Sequence, residues 1–169
     1  MSRAADAEIV AVDAFAFRAE LLEPFEIAGG AAHMHEGAFV RVRLRGGVEG
    51  WGEASPLPAF NGETAAGALA AARRAGRRWL GRDGAAWRAR LTELEENLPR
   101  GAGAARAALG MALLDAWTRR AGLPLRTLFG GAESRVTSDV TVTIVPPQAA
   151  TAAARRIRAL GVRVVKIKV

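Results

Sequence analysis

The chain has 169 residues, half of them hydrophobic, with no cysteine and a formal net charge of +7. That length suits one domain, or one domain and a piece of another, with enough apolar residues for a real core, and the lack of cysteine excludes a disulfide framework and a Cys-based zinc site. The start, MSRAADAEIV, is not a signal peptide, and no window reaches the ~20 uninterrupted apolar residues of a membrane span, so a soluble cytoplasmic protein with no membrane partner is expected.

Residues 8–21 alternate loosely and predict a first strand. Pro24–Glu36 is rich in Gly and Ala, shows no period and predicts a loop. Phe39–Arg45 alternates cleanly, with Val40, Val42 and Leu44 facing in and Arg41, Arg43 and Arg45 facing out. Gly46-Gly47 is a hairpin signal leading into a third strand, Val48–Glu53. A second irregular stretch, Ser55–Phe60, follows, and Asn61 predicts the N-cap of a helix running to about Leu80. Asp83 can cap a second helix through Leu98, with Trp87, Leu91 and Leu94 on one stripe; Pro99 and Gly101 break it. A third helix, about Ala104–Ala121, places Ala108, Met111, Ala112 and Asp115 at helical spacing and ends at Gly122 and Pro124. Three antiparallel strands followed by helices make an α+β unit.

Beyond it the character changes. Val136–Ile144 is a β-branched strand, Pro146-Pro147 opens a helix ending at Gly161, and Val162–Val169 reads as a buried strand. Strand, helix, strand with a short return predicts a βαβ unit with parallel pairing. The expected boundary lies near Glu133, giving domains 1–133 and 134–169.

Several features carry little function. Arg73, Arg74, Arg77, Arg78 and Arg82, with Trp79 beside them, read as the solvated face of an amphipathic helix, so no nucleic-acid partner is expected. His33-Met34-His35 looks like a metal pair, but two histidines on opposite faces of an extended loop ligate poorly without a third ligand. Gly101-Ala102-Gly103 lacks the third glycine of a dinucleotide fingerprint, since Arg106 stands there, and no serine lies in G-x-S-x-G. Asp115, on an otherwise apolar stripe, reads as a structural carboxylate.

The lysines are different. Of 24 Lys and Arg residues only Lys166 and Lys168 are lysine. Arg keeps its proton at any accessible pH, whereas a crowded Lys can release one and act as a base. A period of two puts Val164, Lys166 and Lys168 on one face of the strand. Two ammonium groups on one apolar face repel, which favours the neutral amine in one of them.

Three segments resemble the enolase superfamily, within it the muconate-lactonizing branch. They are Gly50-Trp51-Gly52-Glu53-Ala54-Ser55-Pro56 with Asn61-Gly62-Glu63-Thr64; Ala105–Ala116 with Gly122-Leu123-Pro124-Leu125 and Leu128-Phe129-Gly130-Gly131; and Ser138–Ile144 with the terminal Lys-x-Lys. The resemblance implies an α+β capping domain, a three-stranded antiparallel sheet plus helices, followed by the first β-α-β of a (β/α)8-type barrel, truncated. Such a cap closes over the C-terminal barrel face, where sites of this kind are built. By position, Lys168 would abstract the proton α to a carboxylate, while Lys166 would lower its neighbour's pKa and pair with the substrate carboxylate.

The wording is most similar to dipeptide epimerases. Thr141 matches their substrate-contacting Asp-x-Thr, and Pro24-Phe25 matches the start of their first cap loop, so Phe25 and Ile27 are implied substrate contacts. Members acting on acidic dipeptides use a basic residue a few positions later, and Ala28–Ala32 holds none. The implied cofactor is Mg²⁺; its ligands are acids on later barrel strands, so no metal ligand is expected in this chain and the chain alone is expected to be inactive. The implied partner is a small carboxylate, a dipeptide first, and a homo-oligomer at full length is compatible with the family. Cycloisomerase or o-succinylbenzoate synthase chemistry would use the same Lys-x-Lys. A non-catalytic fragment or binding module is the reading from another class.

Overall fold

Strand β2 (Gly30–Leu44) shows why this sheet forms where it does. Val40, Val42 and Leu44 are buried, while Arg41, Arg43 and Arg45 point the other way. The structure is a computed structural model and describes residues 5–27, 30–133 and 135–168. Contacts divide the chain into two compact units, Met1–Ala19 with Glu36–Gly131, and Glu20–His35 with Ala132–Val169.

In the first unit β1 (Ile9–Ile27), β2 and β3 (Glu49–Ala54) form an antiparallel sheet in that order. The register between β2 and β3 runs from Ala38 opposite Ala54 to Arg43 opposite Glu49. The turn between them uses Gly47 at φ +83°, a backbone geometry open to glycine at little cost. Pro24–Glu36, expected as a loop, is instead strand through Ile27 and again from Gly30. Its Gly and Ala carry little strand preference of their own, so pairing between the two strands decides its conformation.

Helices α2 (Ala65–Arg77), α3 (Trp87–Asn97) and α4 (Gly103–Ala121) supply the rest of the core, and short helices α1 (Pro58–Asn61) and α5 (Leu125–Leu128) punctuate the loops. The cap of α2 is Thr64, not Asn61: its Oγ1 accepts from the Gly67 N–H at 3.1 Å. Both residues are good caps, and Asn61 is spent on a turn with Glu63. Asp83 caps a 3-10 turn, Gly84–Ala86, just ahead of α3. At the far end of α4, Gly122 takes φ +67° and the Leu123 N–H reaches Thr118 O at 2.9 Å, closing the helix.

The core is built on small residues. Ala105, Ala108, Ala112 and Ala116 of α4 are fully buried. Gly50 and Gly52 lie so close to α4 that a Cβ on Gly50 would stand 2.1 Å from the Ala116 N, and one on Gly52 2.1 Å from the Ala108 O. Large residues fill the remaining volume: Ile9, Leu94, Leu109, Leu113 and Trp79. Trp79, expected beside the arginine stripe, is 1% exposed and belongs to this core. Three of the stripe's arginines have partners within the unit: Arg73 donates to the Ala14 carbonyl, Arg78 to Asn97 and Arg82 to Glu93. On the outer sheet face Arg41 lies 5.6 Å from the centres of both the Phe15 and Trp51 rings. Its hydrogen bond to Asp13 holds the guanidinium proton above its ordinary range, with desolvation opposing and Glu49 adding to the effect.

The second unit holds a parallel pair, β4 (Val140–Val142) and β5 (Val165–Ile167), joined through α6 (Pro147–Ala159). Both strands are shorter than the expected Val136–Ile144 and Val162–Val169. The last strand is also not buried, since Val164, Lys166 and Ile167 are exposed. Among the described residues β4 and β5 pair only with each other.

Candidate active site

Parallel pairing sets the geometry around the lysines. Thr141 stands opposite Lys166, flanked by Val140 opposite Val165 and Val142 opposite Ile167. Paired residues in a parallel ladder share a face, so Thr141, Lys166 and, two residues on, Lys168 form one row. Val142, on the other face, is buried, as is Ile157 of α6. The helix therefore packs over Val142, on the face opposite the lysine row, while Ile167 on that same face stays 62% exposed. The Lys168 N–H donates to Val142 O at 3.0 Å, which extends the ladder one residue beyond β5 and fixes the backbone from which that side chain springs. Thr141 and Lys168 are half-buried and Lys166 is exposed.

This row offers two amines and a hydroxyl. It can hold a carboxylate by charge and hydrogen bonding, and an amine that has lost its proton can take one from carbon. It does not suit a magnesium ion, which demands oxygen ligands and is repelled by ammonium groups. Among the described residues no group of three or more His, Cys, Asp or Glu side chains could hold a metal. One groove in this unit, a cavity of about 610 Å³ lined by Arg158, Gly161, Arg163 and Val165, sits where α6 turns into β5.

Other candidates fall as follows. Phe25 and Ile27 belong to the backbone of β1, and their side chains lie outside the described residues. His33 and His35 are on β2, so they share one strand face; the expectation that they lie on opposite faces of a loop is corrected by the strand's period of two. Asp115 is structural, as expected: its Oδ2 accepts the Trp51 N–H at 3.0 Å and its Oδ1 accepts Arg119 Nε at 2.8 Å.

One residue stands out that sequence reading passed over. Glu63 is 8% exposed, and its two carboxylate oxygens accept the N–H groups of Gly103 (2.9 Å) and Ala104 (2.8 Å), the first residues of α4. The only local signal is an acid beside a helix cap. Its partners lie 40 and 41 residues away, beyond any local pattern.

Residues 10–130 match the family described as mandelate racemase / muconate lactonizing enzyme, N-terminal domain. The chain belongs to that family. It is 40% identical over 160 residues to the aromatic dipeptide epimerase of Herpetosiphon aurantiacus, a match covering 95% of this chain and 45% of that protein. Among solved structures, the mandelate racemase/muconate lactonizing protein of the same organism superposes with a TM-score of 0.90 at 39% identity, covering 97% of this chain and 46% of that one. The dipeptide epimerase of Enterococcus faecalis, solved with Mg and the dipeptide L-Leu-L-Tyr, gives a TM-score of 0.90 at 31% identity and covers 96% and 46%. These relatives bear out the resemblance to dipeptide epimerases of the enolase superfamily. The antiparallel sheet with its helices is the family's N-terminal capping fold. The chain spans less than half the length of the relatives it matches. Among the described residues no helix is long and apolar enough to cross a membrane.

Proposed function

We propose that this chain is the N-terminal part of an isomerase that moves the proton α to a carboxylate, with a dipeptide as substrate. The row of Thr141, Lys166 and Lys168 on one side of a parallel strand pair carries the proposal, because it offers a base and a carboxylate partner on one rigid ladder. Similarity to dipeptide epimerases supports the substrate class. In this reading the division near Glu133 separates a cap from the start of a barrel.

Lys168 acts as the base. Its neutral amine takes the α-proton: the C–H bond breaks, an N–H bond forms, and the electron pair stays with the carbon and its carboxylate. Lys166 keeps its proton and pairs with the substrate carboxylate, and Thr141, opposite it, hydrogen-bonds the substrate. Reprotonation from the other face, which completes an epimerisation, falls to a group outside the described residues. Magnesium, present with the dipeptide in the E. faecalis relative, is likewise assigned to residues outside them.

The test is α-proton exchange in D₂O, followed by NMR for each epimer of a dipeptide, with full-length protein. Arg holds charge but cannot act as a base at neutral pH, so Lys168→Arg should slow exchange of at least one epimer by about 10²-fold or more. Exchange of both epimers at the wild-type rate would remove Lys168 from the role.

A further inference from the structure

The chain has two asparagines: Asn61, followed by Gly62, and Asn97, followed by Leu98. A backbone nitrogen can attack the side-chain amide carbon of an asparagine just before it, and the side chain on that nitrogen's own residue ordinarily stands in the way. Glycine has none. Asn61 and Gly62 are both exposed, and a Cβ on Gly62 would meet nothing within 4 Å, so the approach is open. Leu98 is 5% exposed and its N–H is held by Leu94 O at 3.0 Å, which closes Asn97 to the same attack.

The turn that carries Asn61 and Gly62 is lightly held. The Gly62 N–H donates to Pro58 O at 3.0 Å and closes α1, a helix of four residues with none buried. Leu57 is 53% and Phe60 87% exposed, so no apolar packing keeps that bond shut, and a single exposed turn opens at small cost. The asparagine side chain, by contrast, is held ready. Its Oδ1 accepts the Glu63 N–H at 3.0 Å. That donor faces the oxygen on which negative charge gathers when the amide carbon is attacked, and so favours the attack.

We propose that Asn61-Gly62 is a site of spontaneous covalent modification, and that the carboxylate formed at residue 61 releases Glu63 from the start of α4. The Gly62 nitrogen loses its proton to water and bonds to Asn61 Cγ. The Cγ–Nδ2 bond breaks, and Nδ2 leaves as ammonia with a proton taken from water. Water then opens the cyclic imide at either carbonyl, giving aspartate or its isomer with the chain running through the side-chain carboxyl. One water is consumed and one ammonia released; nothing is oxidised or reduced.

The consequence falls on Glu63. In the native turn Asn61 Nδ2 donates to Glu63 Oε1 at 3.3 Å. An ionised carboxylate only accepts, so that bond becomes a contact between two negative groups. Glu63 is buried, where water screens poorly. Its Oε1 also accepts the Gly103 N–H at 2.9 Å and its Oε2 the Ala104 N–H at 2.8 Å, so repulsion at Oε1 pulls against the first turn of α4.

Full-length protein is aged in mildly alkaline buffer and mapped by peptide mass spectrometry. The peptide holding Asn61 should gain about one dalton and split into aspartate and isoaspartate forms, at least about tenfold faster than the peptide holding Asn97. Conversion of Asn61 no faster than that of Asn97 overturns the site. Asn61→Asp and Asn61→Ala are then compared by hydrogen–deuterium exchange at Gly103 and Ala104. Asn61→Asp should exchange about tenfold or more faster than wild type, and faster than Asn61→Ala, which loses the bond without gaining a charge. Wild-type exchange in Asn61→Asp, or equal exchange in the two variants, overturns the release of Glu63. Should Asn61→Asp not fold, wild-type exchange in aged molecules that carry the modification still overturns it.

Discussion

Replacing Gly52 by alanine adds a single methyl group where β3 meets α4. That carbon would stand 2.1 Å from the Ala108 carbonyl oxygen and 2.9 Å from the Ala112 nitrogen, against the 3.4 Å at which ordinary contact begins. The shortfall of 1.3 Å cannot be met by a side chain turning aside, because both obstacles are backbone. Strand and helix must separate along their whole line of contact, so the overpacking cost lies at the upper end of the usual range, about 3 kcal/mol. For a unit of this size that lowers the melting temperature by about 10 °C or more. Tryptophan fluorescence during thermal and urea unfolding of the full-length protein is a suitable assay, since Trp51, Trp79, Trp87 and Trp117 all lie in the first unit. Gly101→Ala is the control: a Cβ there meets nothing within 4 Å and its φ is not positive, so stability should hold or rise by a few tenths of a kcal/mol. A Gly52→Ala protein as stable as Gly101→Ala would refute the close-packing argument.

Thr64→Ala removes the α2 cap and should cost about 1 kcal/mol by urea titration, with no change in the slope of the transition. In the proposed reaction Lys166→Arg keeps the charge. It should therefore slow α-proton exchange far less than Lys168→Arg does while raising KM, measured in the same NMR and steady-state assays.

What the sequence made legible was whatever one short stretch of chain decides. The alternation of Val40, Val42 and Leu44 with three arginines gave β2 its buried face, and Ala108 and Ala112 gave part of the α4 core stripe, although Met111, expected beside them, is 43% exposed. The Lys-x-Lys row needed only a period of two and a paired strand. Two of the misreadings depend on distant chain, and a third on a side-chain bond only two residues long. Gly- and Ala-rich Pro24–Glu36 has no strand signature until its partner strand is beside it. Asn61 and Thr64 are equally good caps by type, and only the bond between Asn61 and Glu63 decides between them. Glu63 itself looks like any surface acid until the start of α4 is brought to it.

The excursion of β1 and β2 beyond the sheet core has a bearing on how its length can change. The far part of β1 from Glu20 and the near part of β2 up to His35 fall outside the first unit. Along a strand the facing of side chains alternates, so adding or deleting two residues leaves every later position on its original side. A single insertion between His35 and Gly37 would turn His33 and His35 over together relative to the paired part of β2 unless a bulge absorbed it. Viable length variants of this arm should therefore differ by even steps in each strand, an arithmetic rule that holds whatever side chains the arm carries.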